Sequence, residues 1–172
     1  MKTLDLSKLT LQDALDFAIL VEEEACERYD DLAQQMEAHN TQAAAVFFRF
    51  MVLNEAKHGH ELTLRRRELF GTAPARVDRS MLWDVEAPEF GEVRPFMPAR
   101  EAFDVALHAE EKAYRFFADA VAHLTDPGVK VLFEELMEEE LVHQELVRKE
   151  IDKLPAEASV EMEDYVDEPM PQ

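Results

Sequence analysis

Apolar residues recur along most of this chain with the three-and-four spacing of amphipathic helices, in four separate runs. In the first run Leu15, Ala18/Ile19, Glu22, Ala25/Cys26, Tyr29, Leu32/Ala33 and Met36 trace one face. Thr10 followed by Asp13 supplies its start: a capping hydroxyl and an early acidic residue. A turn near 37–41 leads into a second run, with Asn40 or Thr41 as its cap and Gly71 as its terminator after Leu69 or Phe70. The third run opens at Pro98, a first-turn proline, with an inner stripe of Phe103, Ala106, Glu110, Ala113, Phe117, Val121 and Leu124. Asp126-Pro127 pairs a cap with a first-position proline for the fourth run, which continues to Leu154-Pro155. The pattern predicts an all-α four-helix bundle, built as two antiparallel helical hairpins joined by one long crossover.

The crossover is residues 72–97, where Pro74, Pro88 and Pro95 fall, with Pro98 at the border and the only tryptophan, Trp83, inside. Structureless connections of that length are uncommon unless they have a task. Here the task is to join two parallel helices: a ~28-residue helix is roughly 40 Å long, a span that some 26 residues cover easily. Trp83 and Phe90 are expected to pin the crossover to the bundle or to a neighbouring subunit. The domain reading is one bundle over residues 1–154 and an acidic, flexible tail over 155–172.

The inner stripes run into charge. Ala44, Phe47/Phe48 and Met51 lead to Glu55 and His58, and Val129, Leu132/Phe133 and Leu136 lead to Glu140 and His143. These are the two Glu-x-x-His pairs of the chain, and i, i+3 spacing sets each pair on one side of its helix. Glu22 and Glu110 lie inside the apolar stripes of the other two helices; the helical register favours them over the adjacent Glu23 and Glu111. The halves repeat: 18–25 aligns with 106–113 at an offset of 88, placing Tyr29 opposite Phe117, and the Glu-x-x-His pairs align at an offset of 85.

A carboxylate on a core face is costly without compensation. Glu22, Glu55, His58, Glu110, Glu140 and His143, converging from four helices, form a site for two divalent metals. Four negative charges against two divalent cations sum to neutral, which a low-dielectric interior tolerates. Oxygen and nitrogen ligation without thiolate points to iron or manganese, with zinc as a possible substitute. Bridging carboxylates would hold two metals at the separation that two-metal chemistry uses.

Composition changes this picture in a few places. A net charge of −20 disfavours nucleic acid and anionic membrane surfaces, and suits handling of cations, although solubility is the commoner use of an acidic surface. A single cysteine, Cys26, excludes an intrachain disulfide and a Cys-x-x-Cys knuckle. The start lacks an apolar secretory region and no stretch approaches the ~20 apolar residues of a membrane span, so a cytoplasmic protein is expected. Cys26, Phe47, Met51, Phe133 and Met137 read as packing. Glu138 and Glu139 read as solvated face, and His60 as a surface residue beside a conceivable auxiliary ion site. His39, His108 and His123 have no matching partners for chemistry.

Glu22 with Tyr29 seven residues on, Glu55-Ala56-Lys57-His58, Glu110 and Glu140-Leu141-Val142-His143, in that order, resemble the ferritin-like di-iron superfamily. The closer likeness is to its rubrerythrin and bacterioferritin branch, over about residues 10–154. The resemblance implies a di-iron centre oxidised by hydrogen peroxide or O2, with Tyr29 hydrogen-bonded near a ligand carboxylate. Rubrerythrins carry an extra ligand Glu where this chain has Ala113, so the ligand set looks more like the symmetric bacterioferritin one. Bacterioferritin has a haem-binding Met where this chain has Ala56, so no haem is expected by that route. The rubredoxin domain of full rubrerythrins is missing, so electrons are expected from a rubredoxin-like external donor or from Fe(II) itself.

The first functional expectation is therefore a rubrerythrin-type oxidoreductase that consumes peroxide or O2, as a homodimer or larger homo-oligomer. The alternative is ferritin-type iron storage or buffering. A third reading, hydroxylation of an organic substrate, needs a pocket beside the metals that the sequence does not identify.

Overall fold

The computed structural model describes residues 5–81 and 97–155. Four long helices carry it: α1 Leu11–Ala38, α2 Gln42–Phe70, α3 Ala99–Val121 and α4 Pro127–Ile151. Short 3-10 turns at Leu6–Lys8 and Arg79–Met81 flank the first hairpin, and no strand occurs among the described residues. Trp83, Phe90 and residues 156–172 lie outside the described residues, so the expectations placed on them do too.

Helix boundaries follow from local chemistry. Thr10 and Asp13 form a reciprocal capping box: the Asp13 N–H donates to Thr10 Oγ1 at 3.2 Å, and the Thr10 N–H donates to Asp13 Oδ2 at 3.3 Å. At the other end of α1, Asn40 takes a left-handed φ of 59°, and the Thr41 N–H reaches back to the Met36 carbonyl at 2.8 Å. That six-to-one bond reverses the chain within three residues and makes α2 antiparallel to α1. Thr41 takes the cap position of α2 without a side-chain capping bond. Gly71, at φ 58° and ψ −127°, ends α2 in a backbone conformation that a Cβ would strain. Asp126 Oδ1 accepts from the Gly128 and Val129 N–H groups at 2.7 and 3.1 Å, fixing the start of α4. Pro98 differs from expectation: it is the cap residue of α3, not its first turn, because its ψ of 153° is extended and the helix begins at Ala99. The fourth helix also stops at Ile151, earlier than the Leu154-Pro155 expected.

α1 packs along α2 and α3 along α4, as two hairpins, and α1 also touches α3 and α4 across the bundle. The core is divided. One apolar cluster holds Leu15, Phe17, Phe117, Leu132, Phe133 and Leu136; the other holds Leu32, Met36, Phe47, Phe48, Met51 and Phe103. Phe117 meets Phe133 edge-on at 5.2 Å, Phe48 meets Phe103 tilted at 5.0 Å, and Phe17 stacks on Phe133. Val77 packs in the first cluster and Met97 in the second, so the crossover departs from one end of the bundle and returns at the other. Its departure is fixed by an ion pair between half-buried Arg66 and buried Asp16, at 2.8 Å. The same guanidinium donates to the Gly71 and Ala73 carbonyls.

Candidate metal centre

Between the two apolar clusters lies a polar layer. Glu22, Glu55, Glu110, Glu140 and His143 are buried to within 5% exposure, and only His58 is less so, with 17% of its side chain accessible. Each arrives by helical register: α1 and α3 contribute one carboxylate apiece from their inner stripes. α2 and α4 each contribute a Glu and a His one turn apart.

The histidines meet at the centre. Their rings stack nearly parallel, 8° apart, with centroids 5.3 Å from each other. His143 Nδ1 lies 3.3 Å from Glu55 Oε1 and 3.4 Å from Glu110 Oε2, so one imidazole addresses carboxylates of both hairpins. Ligand atoms of Glu110, Glu140 and His143 fall within 4.8 Å of one another, as do those of Glu55, His58 and His143. A third such group joins Glu22 and His58 to Glu139. All six predicted ligands are thus gathered in one layer.

Electrostatics test whether a metal suits this donor set. Burial raises the Glu55 carboxyl well above its ordinary range, His143 pulls it down, and the Glu110 and Glu22 charges raise it further. Burial also opposes ionisation of Glu110. Hydrogen bonds from His143 and Glu140 and the Arg28 charge outweigh it and hold that carboxyl down at about 2. His58 is pushed below its ordinary value, by burial first and then by the His143 and Lys57 charges, which keeps it neutral and able to ligate. Glu55 Oε1 and His58 Nδ1 are buried atoms without a hydrogen-bond partner. Orphaned acceptors beside clustered carboxylates are the surroundings that two divalent cations would satisfy. The residues fit the metal.

Tyr29 stands where the resemblance implied: its hydroxyl donates to Glu110 Oε1 across the bundle. Burial, then the Glu110 and Glu55 charges, raise the phenol well above its ordinary value, so it remains a donor. Four further residues were missed by sequence reasoning. Arg28, 7% exposed, places Nη2 3.7 Å from the same Glu110 oxygen, and Gln144 Nε2 donates to the Glu110 carbonyl at 3.3 Å. A Cβ on Gly59 would stand 3.3 Å from Glu22 Cβ, so the missing side chain permits α2 to close on α1 beside that ligand. Glu139, expected on the solvated face, turns toward His58, with Oε2 3.8 Å from Nδ1. Of the run Glu138-Glu139-Glu140, only Glu138 is exposed. A buried arginine on a helix gives no periodic signal of its own, which is why Arg28 was not singled out.

Two clefts reach the layer. One, of about 440 Å³, is lined among others by Glu22, Glu55, Cys26, His60 and Arg79. His60 is exposed, as expected, and also lines the cleft that reaches Glu22 and Glu55. The other, of about 380 Å³, is lined by His58, Glu135, Glu138, Glu139 and Val142.

A family profile described as rubrerythrin matches residues 13–151. The chain belongs to the rubrerythrin family. An uncharacterised conserved protein from Magnetospirillum magnetotacticum is 33% identical, with a TM-score of 0.71 over 86% of this chain and 97% of the other. A hypothetical protein from Pyrococcus furiosus is 20% identical, with a TM-score of 0.58 over 84% and 89%, a likeness of fold alone. No curated protein matches. For this rubrerythrin-family chain the ferritin-like bundle is the shared architecture; the family implies a di-iron site, and the layer of carboxylates and imidazoles could bind metal. No helix among the described residues is long and apolar enough to cross a membrane.

Proposed function

We propose that this chain is a di-iron oxidoreductase of rubrerythrin type, a peroxidase or ferroxidase that oxidises a diferrous centre with hydrogen peroxide or O2. The observation that carries the reading is the closed layer of four carboxylates and two imidazoles beneath two clefts wide enough for a small oxidant. Glu22, Glu55, His58, Glu110, Glu140 and His143 would hold the two ions. Iron bound there supplies one electron per ion, and two electrons with two protons convert one hydrogen peroxide to two waters. Tyr29 and Arg28 both engage Glu110 Oε1, which fixes the orientation of that carboxylate, one of the groups that would hold the ions. The apolar clusters above and below exclude bulk water from the layer. Electrons to restore the centre would come from an external rubredoxin-like donor. The exposed stripe of Val46, Phe50 and Leu53 on α2 supports assembly as a homodimer or larger homo-oligomer.

The test is single turnover of the anaerobically loaded diferrous protein, mixed with peroxide or with O2. Oxidation faster by peroxide is expected; oxidation no faster than by O2 sinks the peroxidase form of the reading. The second reading, iron storage or buffering, is favoured by the net charge of −20. Iron retained after aerobic loading separates the two: two ions per chain supports the oxidoreductase, and retention far above two supports storage.

A further inference from the structure

The two halves of the metal layer repeat in sequence but not in their surroundings. Around Glu110 stand Arg28, Tyr29 and Gln144. At the offsets of 88 and 85 the corresponding positions hold Phe116, Phe117 and Gly59, whose side chains offer neither a charge nor a hydrogen bond, and Glu22 is hydrogen-bonded to Glu55 instead. His143 is buried, whereas His58 borders a cleft open to solvent. One carboxylate breaks the symmetry in the opposite sense. Glu139 lies beside His58, and its counterpart on α2 is Asn54, which carries no charge.

We propose that Glu139 completes an outer cation position with Glu22 and His58, through which the metal of the α1/α2 half enters and leaves the centre. This rests on the di-metal reading of the layer and deepens it. Three helices supply one donor atom each, all within 4.8 Å of one another. The His58 nitrogen that faces Glu139 is the buried atom without a hydrogen-bond partner, so the imidazole has a donor site to offer there. Glu139 is 37% exposed while Glu22 is buried, so the group spans the distance from the cleft to the core. A divalent cation arriving in the cleft first meets Glu135, Glu138 and Glu139, three carboxylates that attract it and replace part of its hydration shell. From Glu139 the next donors inward are His58 and Glu22. An ion can therefore exchange water for protein ligands one at a time, without a fully desolvated step. The α3/α4 half has no such stage, since its donors are buried and braced.

The experiment uses the full-length metal-free chain and Co(II), whose visible absorbance reports ligation, followed by rapid mixing and by equilibrium titration. Wild type is expected to bind two Co(II) in two kinetic phases. His58→Ala identifies the phase that belongs to the α1/α2 half, by losing it. Glu139→Gln, nearly isosteric at a partly exposed position, should slow that phase at least tenfold, leaving the other phase and the final count of two unchanged. Glu139→Asp, which keeps the charge on a shorter stem, should fall between the two. Glu134→Gln removes the same charge from an exposed position outside the cleft and should change the rate less than twofold. Unchanged kinetics in Glu139→Gln, equal slowing by Glu134→Gln, or slowing of both phases together would each overturn the proposal. A wild-type chain that binds no Co(II) would remove the metal centre as a whole, an outcome distinct from a two-metal chain indifferent to Glu139.

Discussion

The α3/α4 half of the metal layer is held, and the α1/α2 half is open. Glu110 receives the Tyr29 hydroxyl, lies near the Arg28 guanidinium, and has its backbone carbonyl bonded by Gln144. Glu22 instead packs beside Gly59 and borders a cleft that also exposes Cys26 and His60. Both halves present the same ligand types at the same helical positions. The difference lies in what surrounds them, and it teaches that a repeated ligand motif can serve two ends. Under the proposal above, the braced half would retain its ion, while the open half would exchange its ion and meet the oxidant.

The largest test of this contrast compares the histidines. His143 touches Glu55 and Glu110 together, whereas His58 serves the open half. In equilibrium dialysis at micromolar Co(II), His143→Ala should retain none and His58→Ala should retain one. One ion retained by both variants would make the halves independent and end the comparison.

Arg28 is the next lever. Removing one partner of a buried charge pair costs about 3 kcal/mol, so metal-free Arg28→Met should lose roughly that much in urea unfolding. Loading with Mn(II) should restore most of it, since a cation then balances Glu110. A metal-free Arg28→Met more stable than wild type would show that Arg28 does not brace this half.

On the open side, burial and then the Glu55 and Glu22 charges push the Cys26 thiol up to about 11. A raised pKa means the thiolate is scarce at pH 8 and grows as pH approaches 11. Alkylation of metal-free protein by iodoacetamide at pH 8 should be about 100-fold slower than that of a free cysteine, and should accelerate with pH. Rapid alkylation at pH 8 would mean that those carboxylates do not shape the cleft.

The smallest effect belongs to Gly59→Ala. Alanine gains about 1 kcal/mol of helix propensity over glycine, so the melting temperature should hold or rise. The new Cβ, 3.3 Å from Glu22 Cβ, should still shift that ligand and weaken Co(II) binding in the open half on the order of threefold. Unaltered affinity would free Gly59 from any role in seating Glu22.

Much of this molecule was legible before any coordinates. The 3.6-residue period, the Thr10 and Asp126 caps and Gly71 mark four helices because they are local effects, acting within one or two turns. The six residues of the polar layer were legible because a charged side chain within an apolar stripe has few inexpensive explanations. Boundaries shifted where a local rule had two solutions: a proline suits both the cap and the first turn, and at Pro98 it is the cap.

Sequence by itself determined the bundle, its hairpins and the six carboxylate and imidazole residues that converge between the core clusters. Tertiary structure alone decided that Arg28 and Gln144 serve Glu110, that Glu139 faces His58, and that clefts reach the layer from α1/α2 and from α4. The physical reason is range. Periodicity and capping report which face of its own helix a residue occupies. Which side chain of another helix it meets depends on helix rotation and depth, set by the packing of the whole core.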